Sequence, residues 1–381
     1  MARALDDIRI TGVAGFTHTT HRKKFIGRNA KKDVHGDQAT EPVVRIFTDR
    51  DLDGVGFGRT TPAQAQGIIG KSLAEIWDAK LGARSTLERA DHALYDLVGK
   101  ALARPAWSLM GGAGPARVPV YDTTLYFSDL LPEYASQGIG RLVQEFDDGL
   151  AQGFRAFKVK VGRGARWMEP ESGLARDIAV VQQLARAAPP GVKLMADAND
   201  QFGLDTARRF LDAVGGYLWF LEEPFQESAE HGKALRTWMA RNGLATLLAD
   251  GESQHDPETL LALARAGGAD VLQPDIRALG LSLLWRMGQE VSRLPGVHLA
   301  PHCWASYLGT FKMLQLARGI DCVMTCEIDR MTSDLFDDSN WALADGCFSV
   351  PDLPGCGLIL REDVFRRKYL PNAWQVGTIP A

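Results

Sequence analysis

Phe157-Lys158-Val159-Lys160-Val161-Gly162 reads as a β-strand: β-branched and aromatic residues alternate with two lysines, and a glycine ends the run. Side chains two apart share a face of a strand, so Lys158 and Lys160 project together. Taken alone, the stretch describes an edge strand with a solvated basic face, because lysine prefers the surface. Its neighbours in sequence argue otherwise. From Val118 onward a short apolar strand, a polar or glycine turn and an amphipathic helix recur. The strands fall at 118–125, 156–161, 193–196, 218–221, 246–249, 271–273, 297–300 and 323–326, with helices such as 176–187, 206–214, 257–266 and 281–291 between them. Strands alternating with helices imply parallel β/α units, and eight of them imply a closed barrel. An open doubly wound sheet is the alternative; it is disfavoured because no G-x-G-x-x-G follows a strand.

Ahead of the barrel, residues 8–16 and 42–58 read as strands, with Asp53-Gly54 as a hairpin turn. The polar segment 17–40, with Lys23, Lys24, Arg28, Lys31 and Lys32, reads as a surface loop or as a lid that attracts an anion. Helical patterns cover about 62–80 and 86–104; Pro105 ends the second. Gly111-Gly112-Ala113-Gly114-Pro115 reads as a linker. The expected division is residues 1–115 as an α+β cap and 116–347 as the barrel, with the tail from about 348 to 381 packing back on the cap.

Length, 381 residues, and composition, 45% hydrophobic and 24% charged, suit a large two-domain globular chain. The net charge of -4 gives no drive toward nucleic acid or an anionic membrane, and no apolar run is long enough to span a bilayer. The five cysteines all lie between Cys303 and Cys356 without a C-x-x-C pair. Reduced thiols in a cytoplasmic protein are expected, and so is a homo-oligomer.

Each barrel strand from the second onward ends in an ionisable residue. The series is Lys158/Lys160, Asp197, Glu222/Glu223, Asp250/Glu252, Asp275, His302 and Glu327, with one β/α unit, 23 to 37 residues, between successive strands. Each therefore sits at the carboxyl end of its own strand, the face that carries active sites in barrels. Any one of them could be a helix cap or a satisfied turn; a whole ring of them calls for chemistry. Asp197, Glu222 and Glu252 make an all-oxygen site of the kind that suits Mg²⁺, with Glu223 and Asp250 as alternatives at the second and third positions. Histidines at zinc spacing are absent there; His18 and His21 in the N-terminal loop read as incidental. Lys160, beside Lys158 and a cation, is expected to have a lowered pKa and to act as a base. His302 is a second base, with Asp275 on the adjacent strand to fix its tautomer. Metal, lysine and histidine together suit removal of a proton α to a carboxylate.

Lys158-Val159-Lys160, Ala196-Asp197-Ala198-Asn199, Leu221-Glu222-Glu223-Pro224, Gly251-Glu252, Gln273-Pro274-Asp275 and Pro301-His302, in this order, resemble the enolase superfamily and its mandelate racemase-like subgroup. The stretches 90–97 and 354–358 are similar to that family too; Asp200 departs from its pattern by adding a carboxylate. The resemblance implies an α+β cap over a modified TIM barrel, (β/α)7β. It implies Mg²⁺ on Asp197, Glu222 and Glu252, and Lys160 and His302 as the acid/base pair. It further implies Lys158 at the substrate carboxylate, Asp275 orienting His302, and Glu327 bonding the developing enediolate. Dehydration of an acid sugar, an aldonate or aldarate, to a 2-keto-3-deoxy acid is the expected reaction; epimerisation, racemisation or cycloisomerisation is the alternative, and a catalytically silent binding protein a remote one. Tyr126, Asn199, Arg163, Trp167, Trp304 and Lys24 are the expected substrate contacts.

Overall fold

The computed structural model describes residues 5–84, 87 and 90–380. Eight parallel strands close on themselves: Arg117–Leu125, Ala156–Lys160, Lys193–Asp197, Leu218–Glu222, Leu247–Asp250, Val271–Leu272, His298–Leu299 and Cys326–Ile328. The last pairs with the first (Cys326 with Val120), and the bridge between Leu299 and Val323 closes the ring. Seven helices connect them, from Ile139–Ala151 to Tyr307–Gly319, giving the (β/α)7β order.

The pleat explains why the strands carry both a core and a site. Tyr121, Ala156, Met195, Phe220, Ala249, Val271 and Ala300 form a separate buried cluster, the barrel floor. Two residues further along these strands, on the same face, stand Lys158, Asp197, Glu222, Gln273 and His302. One turn of the pleat thus changes an apolar floor into a polar layer.

The N-terminal segment departs from its sequence reading. Ile10–Ile26 and Gly36–Thr48 form one long antiparallel hairpin, so the expected 17–40 loop shrinks to residues 27–35. Alternating burial along these strands, such as buried His18 and Thr20 beside exposed Thr17, shows the strand period that the polar composition hid. Asp53-Gly54 is not a turn; it begins the strand Asp53–Phe57. A Cβ at Gly54 would lie 2.2 Å from the carbonyl oxygen of Ala93, so glycine serves the close approach of helix His92–Ala101. The 62–80 pattern resolves into two short helices, Pro62–Gln66 and Leu73–Ile76. The pattern at 86–104 becomes helix His92–Ala101; residues 85, 86, 88 and 89 lie outside the described residues.

Buried polar bonds tie cap to barrel. Asp91 accepts from the backbone N–H groups of Leu281 and Ser282 at 2.7 and 2.8 Å, capping helix Leu281–Val291 from outside the barrel. Asp96 accepts from the Cys356 N–H at 2.7 Å, which explains why the stretches around Asp96 and Cys356 belong together. Strand Trp374–Gly377 pairs antiparallel with Ile10–Ile26. His18 is not incidental: it is fully buried between Glu41 and Ser333, at 2.9 Å from each. That Ser-His-Glu array is structural, because the Ser333 hydroxyl oxygen already accepts from the N–H groups of Leu335 and Phe336.

Candidate active site

Lys158 lies at the centre of the polar layer, fully buried over the Tyr121 ring. Its Nζ donates to Glu222 at 2.6 Å and sits 2.9 Å from Glu327 and 3.5 Å from Asp197. Lys160, one pleat higher, donates to Asp197 Oδ2. On the far side, His302 Nδ1 lies 2.9 Å from both Glu252 and Glu327. Neither contact is aligned as a hydrogen bond, which leaves Nδ1 and Glu252 Oε2 without a partner in that sense. One carboxylate oxygen each from Glu222 and Glu252 and a ring nitrogen of His302 lie within 4.8 Å of one another. A row of carboxylates, Asp197, Glu222 and Glu252, therefore has Lys160 at one end and His302 at the other.

The electrostatics show a site with too much negative charge on one side. Burial, then the charge of Asp197, pushes Glu222 up to about 8. Burial and Glu252 push Glu223 up to about 10, and burial and Glu227 push Asp250 up to about 8. Burial also works against the charged forms of Asp197 and Glu327, yet Lys160 and Lys158 hold the first low, and Lys158 and His302 the second. Buried oxygens without a hydrogen-bond partner accumulate here: Asn199 Oδ1, Glu223 Oε2, Glu252 Oε2 and Gln273 Oε1. Hard oxygen donors that lack protons to accept fit a divalent cation such as Mg²⁺.

Several expectations are corrected. Beside Asp197, the Lys160 ammonium is favoured: burial disfavours it, but the Asp197 pair outweighs burial and raises the pKa; the expected lowering belongs to the site with a cation beside the lysine. Asp275 does not hold the His302 ring; Arg277 binds its two oxygens, with Nη2 at 2.6 Å, so Asp275 acts on His302 only through space. Glu327 accepts from Thr123 at 2.6 Å and the Cys303 N–H at 2.7 Å, and Lys158 and His302 hold its carboxyl well below the usual carboxylate range against the effect of burial; it links Lys158 to His302. Arg163 is fully buried against Asp129 and Asp177. Trp167 donates its Nε1–H to the Asn29 carbonyl at 2.7 Å, under the guanidinium groups of Arg28 and Arg166. Lys24 donates to Glu145 at 2.6 Å, away from the carboxylates. Lys31 and Arg28 are likewise paired, with Asp200 and Asp33, and exposed Lys23 and Lys32 are what is left of the basic character expected of an anion-attracting lid.

Tyr126, Asn199 and Trp304 do reach the site. Tyr126 stacks on Trp304 at 4.9 Å, and Lys160 Nζ lies 5.2 Å from the Tyr126 ring centre. Asn199 donates its backbone N–H to Asp197. Asn199, Asp200, Glu223 and Ala305 all have left-handed backbone, a concentration of strain at the strand ends that marks a functional rim. The sequence reading missed Gln273, whose Nε2 donates to Glu222 at 2.6 Å, and Thr123; both were visible as inward positions two residues from floor residues.

A family model described as enolase C-terminal domain-like matches residues 141–364, more than half of the chain. The chain belongs to the enolase superfamily. Among curated relatives, a 3,6-anhydro-alpha-L-galactonate cycloisomerase from Streptomyces coelicolor is 30% identical over 86% of this chain and 82% of that one. An arabinonate dehydratase from Saccharolobus solfataricus is 27% identical over 72% of this chain and 69% of its own. A solved galacturonate dehydratase from Geobacillus sp., complexed with Mg, shares 30% identity over 98% of both chains, with a TM-score of 0.90. Within the enolase superfamily the chain is thus similar to acid-sugar enzymes of the mandelate racemase-like subgroup.

Proposed function

We propose that this chain is a Mg²⁺-dependent hydro-lyase that removes the proton α to the carboxylate of an acid sugar and expels a β-hydroxyl, giving a keto-deoxy acid. The observation that carries the reading is the row of carboxylates, two buried and Glu252 half-buried, with one base at each end, Lys160 beside Asp197 and His302 beside Glu252. Likeness to the Geobacillus sp. galacturonate dehydratase supports it and adds uronates to the aldonates and aldarates as candidate substrates.

Asp197, Glu222 and Glu252 would hold the ion. Bound there, it supplies positive charge for the substrate carboxylate and for the charge that develops on proton removal. Lys158 is an ammonium, raised by Glu222 and Glu327 against the effect of burial, and it stabilises the same developing negative charge from the centre of the polar layer. Lys160 takes the proton as the neutral amine, after it has left Asp197 and given its own proton to solvent. His302 is held as an imidazolium by Glu252 and Glu327, against the effect of burial, and so has a proton to give to the departing hydroxyl. Arg277 clamps Asp275 at the back of the His302 strand.

A second reading, cycloisomerisation, is favoured by the 30% identity to the Streptomyces coelicolor enzyme. The two bases serve it equally, with a ring oxygen leaving in place of a hydroxyl. A panel of aldonates, aldarates, uronates and anhydro-acids with Mg²⁺, followed in D₂O, separates the readings. Keto-acid product with loss of water supports dehydration. An isomeric product without loss of water replaces it by cycloisomerisation or epimerisation, and no exchange with any acid defeats both.

A further inference from the structure

The short loop that remains of the expected lid, residues 27–35, is fastened to the barrel. Phe127 N–H donates to the Arg28 carbonyl at 2.8 Å, Arg166 to the Lys31 carbonyl at 2.7 Å, and Lys31 to Asp200 at 2.5 Å. The loop ends on His35, which no motif marks. Its ring lies edge-on to Tyr126 at 5.0 Å and to Trp304 at 5.6 Å. Tyr126 rests against Lys160, and Trp304 follows His302 by two residues, so the three rings roof the gap between the two bases. His35 Nε2 is sealed from solvent and has no hydrogen-bond partner. A buried imidazole nitrogen without a partner is expensive in a finished core and ordinary in a site that awaits a ligand.

We propose that His35 is a substrate contact supplied by the cap: its Nε2 hydrogen-bonds a hydroxyl of the acid sugar, while the C–H face of the sugar packs on Tyr126 and Trp304. This inference rests on the acid-sugar reading above. Burial, then the charges of Lys160, Arg22 and Lys32, lower the imidazole to about 4, so at neutral pH the ring is uncharged. A neutral imidazole offers one donor and one acceptor, which suits a hydroxyl better than a second carboxylate. The cap thereby reads the part of the sugar remote from the reacting carboxylate, which Lys158 and an ion held by the acidic residues would meet in the polar layer.

The test compares wild type with His35→Phe, which keeps the ring contacts and deletes the hydrogen bond. Both are assayed on each acid sugar the wild type converts and on analogues of it that lack one hydroxyl at a time. The inference expects His35→Phe to lose about tenfold or more in kcat/KM, the size of one unmade hydrogen bond in a buried site. It also expects one deoxy analogue on which the two proteins perform alike. Equal kcat/KM on every sugar, or the same loss on every analogue, overturns it. Should the wild type convert no acid sugar, the dehydratase reading falls by itself. Quenching of tryptophan fluorescence by D-galacturonate with Mg²⁺ then decides on His35: tighter binding by wild type supports the contact, and equal affinities or no binding by either protein overturn it.

Discussion

Replacing Arg163 by methionine separates a substrate contact from a structural ion pair. Arg163 is fully buried, with its guanidinium 4.2 Å from the centre of the Phe127 ring. It donates to Asp129 at 2.7 Å and to Asp177 at 2.6 Å. Methionine fills much of the same space and leaves two buried carboxylates without their cation. Asp129 keeps Arg176 at 3.6 Å, and Asp177 keeps the backbone N–H groups of Gly162 and Arg163. Stranding one partner of a buried pair costs about 3–5 kcal/mol. Specific unfolding entropy of about 2.1 cal/mol/K per residue gives about 0.8 kcal/mol/K for 381 residues. The apparent Tm of Arg163→Met should therefore fall by about 4–6 °C. Adding Asp129→Asn and Asp177→Asn should recover most of that fall, because neither amide is charged. KM for the acid sugar should stay within about threefold, since Asp129 and Asp177 already occupy the guanidinium. Differential scanning calorimetry and steady-state kinetics read both. An unchanged Tm together with a tenfold rise in KM would refute the structural assignment and return Arg163 to the substrate.

Four further outcomes are expected. Lys160→Ala and His302→Asn should each lower dehydration by about 10²–10⁴-fold with normal far-UV circular dichroism, and near-wild-type turnover in either would remove that residue from the acid/base pair. Glu252→Gln should weaken Mg²⁺ binding in isothermal calorimetry more than Asp250→Asn does; the reverse order would move the ligand to Asp250. Gly54→Ala should destabilise, because its Cβ would meet the Ala93 carbonyl at 2.2 Å, and an unchanged Tm would show that the helix can shift away. Lys312 is lowered to about 8 by burial, opposed by Asp91 and Asp275. The unfolded chain then binds more protons between about pH 8 and 10.5, so this lysine makes stability rise with pH across that window, by at most about 1.4 kcal/mol per unit. Lys312→Met should flatten that rise in Tm measured from pH 8 to 10; an identical slope in both proteins would mean that the ammonium persists.

Where the sequence spoke clearly, a strict period carried the message. Ala156, Lys158 and Lys160 alternate with Phe157 and Val159, and four later strands repeat one floor residue followed by one polar residue two places on: Met195 and Asp197, Phe220 and Glu222, Val271 and Gln273, Ala300 and His302. Barrel strands are short and their helices regular, so local pattern and global order agree. The hairpin was hidden because its outward faces carry His, Lys and Thr, which composition alone assigns to a loop. Gly54 misled for another reason: the same residue serves a turn and a close approach, and only the helix packed above it tells which. Arg163, Trp167 and Lys24 were drawn to the site by nearness in sequence to Lys160 or by charge. Their partners, Asp177, Asn29 and Glu145, come from elements that sequence spacing does not place.

The same limit applies to the roles within the site. Spacing put Asp275 one strand from His302, and the two do form a bridge between their backbones. It could not show that Arg277, two residues on, would claim the Asp275 carboxylate first. That leaves Glu327 as the group that touches both sides, 2.9 Å from Lys158 and 2.9 Å from His302. A single ionised carboxylate between the lysine under the substrate and the imidazolium beside it couples their charges: loss of the His302 proton leaves Glu327 free to draw more strongly on Lys158. Glu327→Gln should therefore lower the His302 pKa as well as turnover. In a pH–rate profile, the limb that reports the imidazolium should move to lower pH by about one unit or more, the size of one lost buried charge neighbour. A fall in rate without any movement of that limb would place Glu327 with the structural residues and would leave His302 to Glu252 alone.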